Sequence, residues 1–292
     1  MNRLLSRIWL LLILLVLGSQ PILAGDLPEI KAAGVLRHLG VPYAGFIIGP
    51  DQGLDVDVMK AFAAHLEVAY QFLPTDWATA IPDLIGKTFT VSSPDVTFTG
   101  ETETRGDVLA TGLTILPWRQ KILDYSEPTF PTQVWLVVRA DSPMTPIVPS
   151  GDLDQDIALT REKIRGMAVL CKSGTCLDPR LFDLDSIEAR GVDFPGSLND
   201  LAPAVILGEA QATLLDVPDA VIALQKFPGK IKIIGPITPH QEMAVGFRRD
   251  QPELRAEFNR FFTDFKQSGR YLELVNRYYP LIHRYYPDFF AL

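Results

Sequence analysis

The stretch TGLTILPWRQKILDYSEPTF, residues 111–130, sets Thr114 and Arg119 on either side of an apolar patch and follows them with Asp124, Tyr125, Ser126, Glu127 and Pro128. A guanidinium and a short hydroxyl brought together can hold a carboxylate. Arg supplies two parallel N–H···O bonds in a geometry that Lys cannot copy, and Thr adds a third donor. The same Arg could instead pair with Asp124 or Glu127 at the surface, a contact of about 0–1 kcal/mol. Other reactive groups are few. Cys171 and Cys176 lie in CKSGTC; an oxidising compartment favours a disulfide between them, although so small a ring gains little loop entropy, and two free thiols are the alternative. A zinc site needs more ligands than this pair, and His38, His65, His240 and His283 are scattered, so no metal is expected. No nucleophile elbow, Walker loop, GxGxxG or HExxH occurs, and no cofactor is expected.

The elements that must position these groups alternate between strand and helix. GVLRHLGV reads as a strand, and the segment after YAGFIIGPDQG as a helix whose Val58, Phe62 and Leu66 recur at four-residue spacing. VAYQFLP is a second strand and DWATAIPDLIGK a second helix, with Asp76 as a cap and Gly86 at its end. The Thr-rich segment from Thr88 to Arg105, with Glu101 and Glu103, is too long for an ordinary connection and reads either as an insertion beside the Arg119 site that could supply charge to it or cover it, or as a solvated surface flap. DVLATGLTIL and QVWLVVRA restore strands, and a Pro- and Asp-rich stretch follows. A second α/β pattern runs from IRGMAVLCKSGTC to IKIIGPI. MAVGFRR closes as a strand, and QPELRAEFNRFFTDFKQSGRYLELVNRYY as two helices broken at Gly269. This order predicts mostly parallel sheets flanked by helices.

The first 24 residues place Arg3 and Arg7 before an apolar run from Ile8 to Leu17, then Gly18, Pro21 and Ala24. This is the layout of a signal peptide cleaved after Ala24 or Gly25; an uncleaved membrane anchor is the alternative. No Cys stands near the cut to carry a lipid, so a soluble periplasmic protein is expected rather than a lipoprotein. Removing Arg3 and Arg7 takes the formal charge from −8 to −10, which argues against nucleic acid as a partner.

Five segments in order carry a resemblance: GLDVDVMKAFAAHL, the W-x-x-x-IPDLIGK helix, the 111–130 stretch, GMAVLCKSGT, and MAVGFRRDQPELRAEFNRFFTDFKQSGRYLELVNRYYP. Together the chain resembles the family 3 extracellular solute-binding proteins, the polar amino-acid receptors of bacterial ABC importers. The resemblance implies a type II periplasmic-binding-protein clamshell of two α/β lobes joined by two hinge strands. Residues 25–137 with 243–292 would form lobe 1, and 138–242 lobe 2. A small carboxylate, foremost an amino acid, would close in the cleft of a monomer that serves an ABC permease.

Carried over residue by residue, Thr114 and Arg119 are expected to hold the ligand carboxylate, with Gly112 standing where many members have Ser. From lobe 2, Thr175 and the amides of Gly174 to Cys176 are expected to face the same group, Cys176 replacing the usual hydroxyl residue with a weak donor. Asp216 matches the acid that pairs with the α-ammonium; it could instead cap the helix of VPDAVIALQKF. Tyr43 and Trp77 fall at the aromatic walls, where either could equally be core. Gly40 stands where receptors for basic amino acids carry an acid, which makes a lysine, arginine or histidine ligand less expected.

Two other classes share the resemblance. A cyclohexadienyl dehydratase-like enzyme would need a positioned general acid, for which Glu101, Glu103 or Asp216 can be nominated. An accessory or sensory module would dock a protein partner, with the aromatic tail at 281–292 (Tyr285, Tyr286, Phe289, Phe290) as its patch or, alternatively, as packed core. Some lytic transglycosylases also begin with such a domain, but no lysozyme-like part is present in this sequence and murein cleavage is not expected of it.

Overall fold

A computed structural model describes residues 25–92 and 95–290; the expected signal peptide lies outside the described residues. The chain builds two five-stranded sheets, each with helices packed on it. In the first, β1 (Val35–Gly40) pairs in parallel with β2 (Ala69–Pro74) and β5 (Val108–Leu109). Antiparallel to β5 comes β14 (Gly246–Phe247), and β6 (Asp124–Tyr125) closes the edge. Between β1 and β2 runs helix α2 (Leu54–His65), which follows α1 (Leu27–Ala33). Its Val58, Phe62 and the capping Leu66 are all buried, as the four-residue spacing requires. Helix α3 (Ala80–Ile85) is shorter than its sequence pattern. Asp76 Oδ1 accepts from the amides of Ala78 and Thr79 and organises a turn ahead of it, and Gly86 ends it with a left-handed φ of 68°.

The Thr-rich insertion is a hairpin, β3 (Lys87–Ser92) against β4 (Asp95–Glu101), with a bulge at Thr88/Phe89. Alternation decides its two faces: Phe89, Val91 and Val96 pack on the cluster around Leu116 and Trp118, while Glu101 is exposed.

The second sheet begins with β8 (Val134–Arg139), antiparallel to both β11 (Ala212–Asp216) and β12 (Ile231–Pro236). Beyond β11 lie β9 (Ala168–Cys171) and β10 (Arg190–Asp193), in parallel. Helices α4 (Leu153–Lys163), α5 (Leu201–Leu207) and α6 (Val217–Lys226) cover this sheet. The near-continuous apolar runs of β8 and β11, buried along almost their whole length, fit strands covered on both faces.

Between the sheets lies a two-stranded pair, β7 (Phe130–Thr132) with β13 (Gln241–Met243). The chain leaves the first sheet through β7 and returns to it through β13. Two helices, α7 (Pro252–Gln267) and α8 (Arg270–Tyr278), finish the first lobe, separated by Gly269 at φ 79°. The fold is therefore the two-lobed α/β arrangement of type II periplasmic binding proteins. The tail that follows packs on β7, on the start of β8 and on the residue before β13: Phe290 on Phe130 at 5.6 Å, Tyr285 on Trp135 at 5.1 Å and Tyr286 on His240 at 5.6 Å between ring centres.

Candidate functional site

The segment 113–115 is stitched to the returning strand β13 by Ala244 N to Leu113 O (3.0 Å) and Ile115 N to Glu242 O (2.9 Å). This places Thr114 beside the junction of the lobes, fully buried, with its Oγ1 unpartnered. Arg119 opens a short 3-10 turn and is 1% exposed. Its Nη1 donates to Thr114 O at 3.0 Å, its guanidinium lies 5.2 Å from the Trp118 ring centre, and its Nε has no partner. No carboxylate pairs with it among the described residues, and Asp124, one alternative partner, pairs with Arg255 at 3.5 Å. A buried guanidinium without a counterion is an unfavourable arrangement unless an anion completes it. Close by, Tyr125 also keeps a buried hydroxyl without a partner; burial pushes its phenol up, and the Arg119 charge opposes that shift.

From the second lobe, the loop after β9 arrives with its donors largely engaged. Thr175 Oγ1 donates to Lys172 O (2.8 Å) and accepts from Leu177 N (3.0 Å). The amide of Gly174 donates to Asp178 Oδ2 (2.9 Å) and that of Thr175 to Lys172 O (3.4 Å). These groups shape the loop rather than face outward. The expected Cys171–Cys176 bridge is not formed: both are free, buried thiols. Cys171 Sγ is directed to Val169 O within its own strand (3.6 Å), whereas Cys176 Sγ donates to Asp216 Oδ2 (3.3 Å), so the two sulfurs serve different partners. Burial and Asp216 push the Cys176 thiol up; Arg119 and the neighbouring Thr114 hydroxyl, which lies outside hydrogen-bond geometry, pull the other way.

Asp216 ends β11 and stands at the N-cap of α6, but its side chain makes no capping bond. Instead Oδ1 accepts from the Tyr43 hydroxyl of the other lobe, and Oδ2 accepts from Cys176. Burial raises its carboxyl to about 6, against the lowering effect of Tyr43, Cys176 and the nearby Asp219 amide. Tyr43 is 1% exposed and lies between Phe46 (5.9 Å, stacked) and Trp77 (5.7 Å, edge-on). A second cross-lobe bond runs from Ala44 N to Asn199 Oδ1 at 2.8 Å.

Trp118 and Thr175, the chain neighbours of Arg119 and Cys176, border a cavity of about 120 Å³ lined from the first lobe also by Trp77, Ile81, Phe89 and Val91, and from the second by residues of the loop that includes Thr175. The one carboxylate in its lining is Asp178, held by Arg180 through Nε (2.9 Å) and Nη2 (2.6 Å). Glu101 and Glu103 are exposed and contribute nothing to the lining. Two glycines are fixed by their surroundings. A Cβ on Gly40 would meet the Phe72 ring at 2.5 Å, so a side chain fits there only if that ring moves. Gly112 has φ +59°, and a Cβ would strike the Phe46 ring at 2.4 Å; its amide donates to buried Asp55 Oδ2 at 2.7 Å, and burial raises that carboxyl to about 7.

The structure thus gathers Tyr43, Thr114, Arg119, Cys176 and Asp216 at the lobe junction and sets Trp77 and Thr175 on the cavity wall. Sequence reasoning missed Phe89, Val91 and Trp118 as wall residues. Trp118 precedes Arg119 in the opening stretch, and the alternation Phe89-Thr90-Val91 was the available signal for an inward hairpin face.

Fold and site together define a type II binding protein with its candidate site at the lobe junction. The description "Bacterial extracellular solute-binding proteins, family 3" matches residues 88–280, and the chain belongs to that family. Among solved structures it is similar to a mutant of ArgBP from T. maritima (TM-score 0.66, 24% identity, 87% of this chain and 99% of that one). It is also similar to the ancestral amino acid-binding protein AncCDT-1, described as a precursor of cyclohexadienyl dehydratase (TM-score 0.65, 23%, 87% and 98%). Tv2483 bound to L-arginine superposes with a TM-score of 0.68 at 13% identity, covering 87% and 93%. A curated relative, the membrane-bound lytic murein transglycosylase F of Desulfosudis oleivorans, is 26% identical over 229 residues, 77% of this chain. The chain spans only 43% of that relative's length. Among the described residues no helix is long and apolar enough to cross a membrane.

Proposed function

We propose that this protein captures a small carboxylate solute between its lobes in the periplasm, as a monomer, and presents it to an ABC permease. Lobe 1 would end at the β7 crossing rather than at 137, because β8 (Val134–Arg139) pairs entirely within the second sheet; the chain from β8 to 242 would act as lobe 2, and 243–292 would return to lobe 1, with the β7–β13 pair as hinge. The observation that carries this reading is Arg119: a guanidinium 1% exposed, without a counterion among the described residues, its Nε and the adjacent Thr114 Oγ1 both unpartnered. A ligand carboxylate supplies the missing acceptor for both.

Amino acids are the ligand class that the similar structures name, arginine among them. A cationic side chain finds little support here, since Gly40 supplies no acid and Asp178 is already paired with Arg180. A thermal-shift screen of amino acids and small organic acids tests the capture. At a hundredfold excess over Kd, a true ligand stabilises by about 2.7 kcal/mol. Arg119→Ala should lose that response. An Arg119→Ala protein that still responds as the parent does would overturn the assignment.

A further inference from the structure

We propose that the preferred solute is a monocarboxylate with an apolar body and no α-ammonium group, a deaminated counterpart of an amino acid. This rests on the carboxylate capture argued above and goes beyond it. The first observation is the state of Asp216. The acid that would receive an ammonium group already has both oxygens engaged by the protein: Oδ1 by the Tyr43 hydroxyl, Oδ2 by Cys176 Sγ–H. Tyr43 is not free to leave, since its ring is buried between Phe46 and Trp77 and its own backbone amide and carbonyl pair with Ile47. Its hydroxyl therefore stands in for the ammonium of a zwitterionic ligand.

The second observation is the wall beside it. Trp77, Ile81, Phe89, Val91, Trp118 and Leu181 give the cavity an apolar surface, and its one carboxylate, Asp178, is occupied by Arg180. An ammonium entering this space would lose its hydration and find the carboxylates of Asp178 and Asp216 already engaged, which costs enough to lower affinity by about tenfold or more. The head of an apolar monocarboxylate meets Arg119 Nε and Thr114 Oγ1, while its body meets the rings.

Calorimetric titration with matched pairs separates the possibilities: 3-phenylpropanoate against L-phenylalanine, and 4-methylpentanoate against L-leucine, with L-arginine alongside. The expected result is that each monocarboxylate binds at least about tenfold more tightly than its amino acid. Tyr43→Phe should then narrow that ratio by raising affinity for the amino acid, because Asp216 Oδ1 becomes available. Cys176→Ala, which frees Oδ2, should act in the same direction should the Tyr43 variant fold poorly. An amino acid binding as well as or better than its partner would overturn this inference while leaving carboxylate capture intact. Failure of every carboxylate, with Arg119→Ala making no difference, would overturn both.

Discussion

The two sides of the lobe junction are built on opposite terms. On the first lobe, Arg119 and Thr114 are buried with donors left over; on the second, the Asp216 carboxylate has a protein donor on each oxygen. Both are polar groups removed from water, yet only one is satisfied. On the proposed reading, the missing partner at Arg119 marks where a ligand completes the protein, while at Asp216 the protein supplies both partners itself. Residue type alone would have given the two sides equal standing as ligand contacts.

The strongest way to break this contrast is at Arg119. Replacement by Ala should remove about 2–5 kcal/mol of ligand binding, read by calorimetry. Arg119→Met should do the same to binding while making the unliganded protein more stable by about 1–4 kcal/mol in urea denaturation, because an apolar side chain of similar volume does not need a counterion. A less stable Met variant would mean that the guanidinium is satisfied after all.

Behind Gly112, Asp55 offers a pH test. Its folded carboxyl titrates at about 7 rather than at the ordinary 3.8, so the folded state holds a proton that the unfolded chain releases. Its contribution to stability is therefore full below about pH 4 and falls as pH rises towards about 7. Asp55→Asn, which keeps an oxygen for the Gly112 amide, should match the parent near pH 4 and exceed it by about 2–4 kcal/mol above pH 7. A difference independent of pH would contradict the burial argument. His38, lowered to about 4 by burial, changes stability in the opposite sense over a similar range, but it is common to both proteins and cancels in the comparison.

At Asp216, truncation to Ala leaves the Tyr43 hydroxyl and Cys176 thiol without acceptors, so the unliganded protein should lose about 1–3 kcal/mol. The sign is opposite to that expected for Arg119→Met, and this opposition is the contrast in its measurable form. The smallest effects separate two threonines of similar burial. Thr114→Val should weaken ligand binding by about 1 kcal/mol, whereas Thr175→Val should change binding by less than half of that and act mainly on loop stability, since its hydroxyl bonds Lys172 and Leu177. Equal losses would show that Thr175 turns to the ligand on binding.

The fold was legible in the sequence wherever periodicity was strong. Val58, Phe62 and Leu66 gave the first long helix, Gly269 the break between the last two, and the apolar run of β8 a buried strand. Where polar alternation was mild, as in the 87–101 hairpin, length suggested an insertion that could cover the site but not which of its residues would face the cavity. At the site, residue types led to Arg119 and Asp216 because charge is hard to bury without purpose. The engagement of Asp216 by Tyr43 was not legible, since the two are 173 positions apart and lie on different lobes. Nor was the thiol state of Cys176: sequence proximity to Cys171 says nothing about which way either sulfur turns.

The aromatic tail rests on Phe130 of β7, on Trp135 where the second sheet begins and on His240 just before β13, so it spans the linkage between the sheets. Anything fused after Phe290 is thereby mounted on the linkage between the halves. A dye placed there would sit where changes in the angle between the halves would reach it, and a bulky purification handle would load the same joint; attachment through an exposed α7 position such as Ala256 would leave it alone.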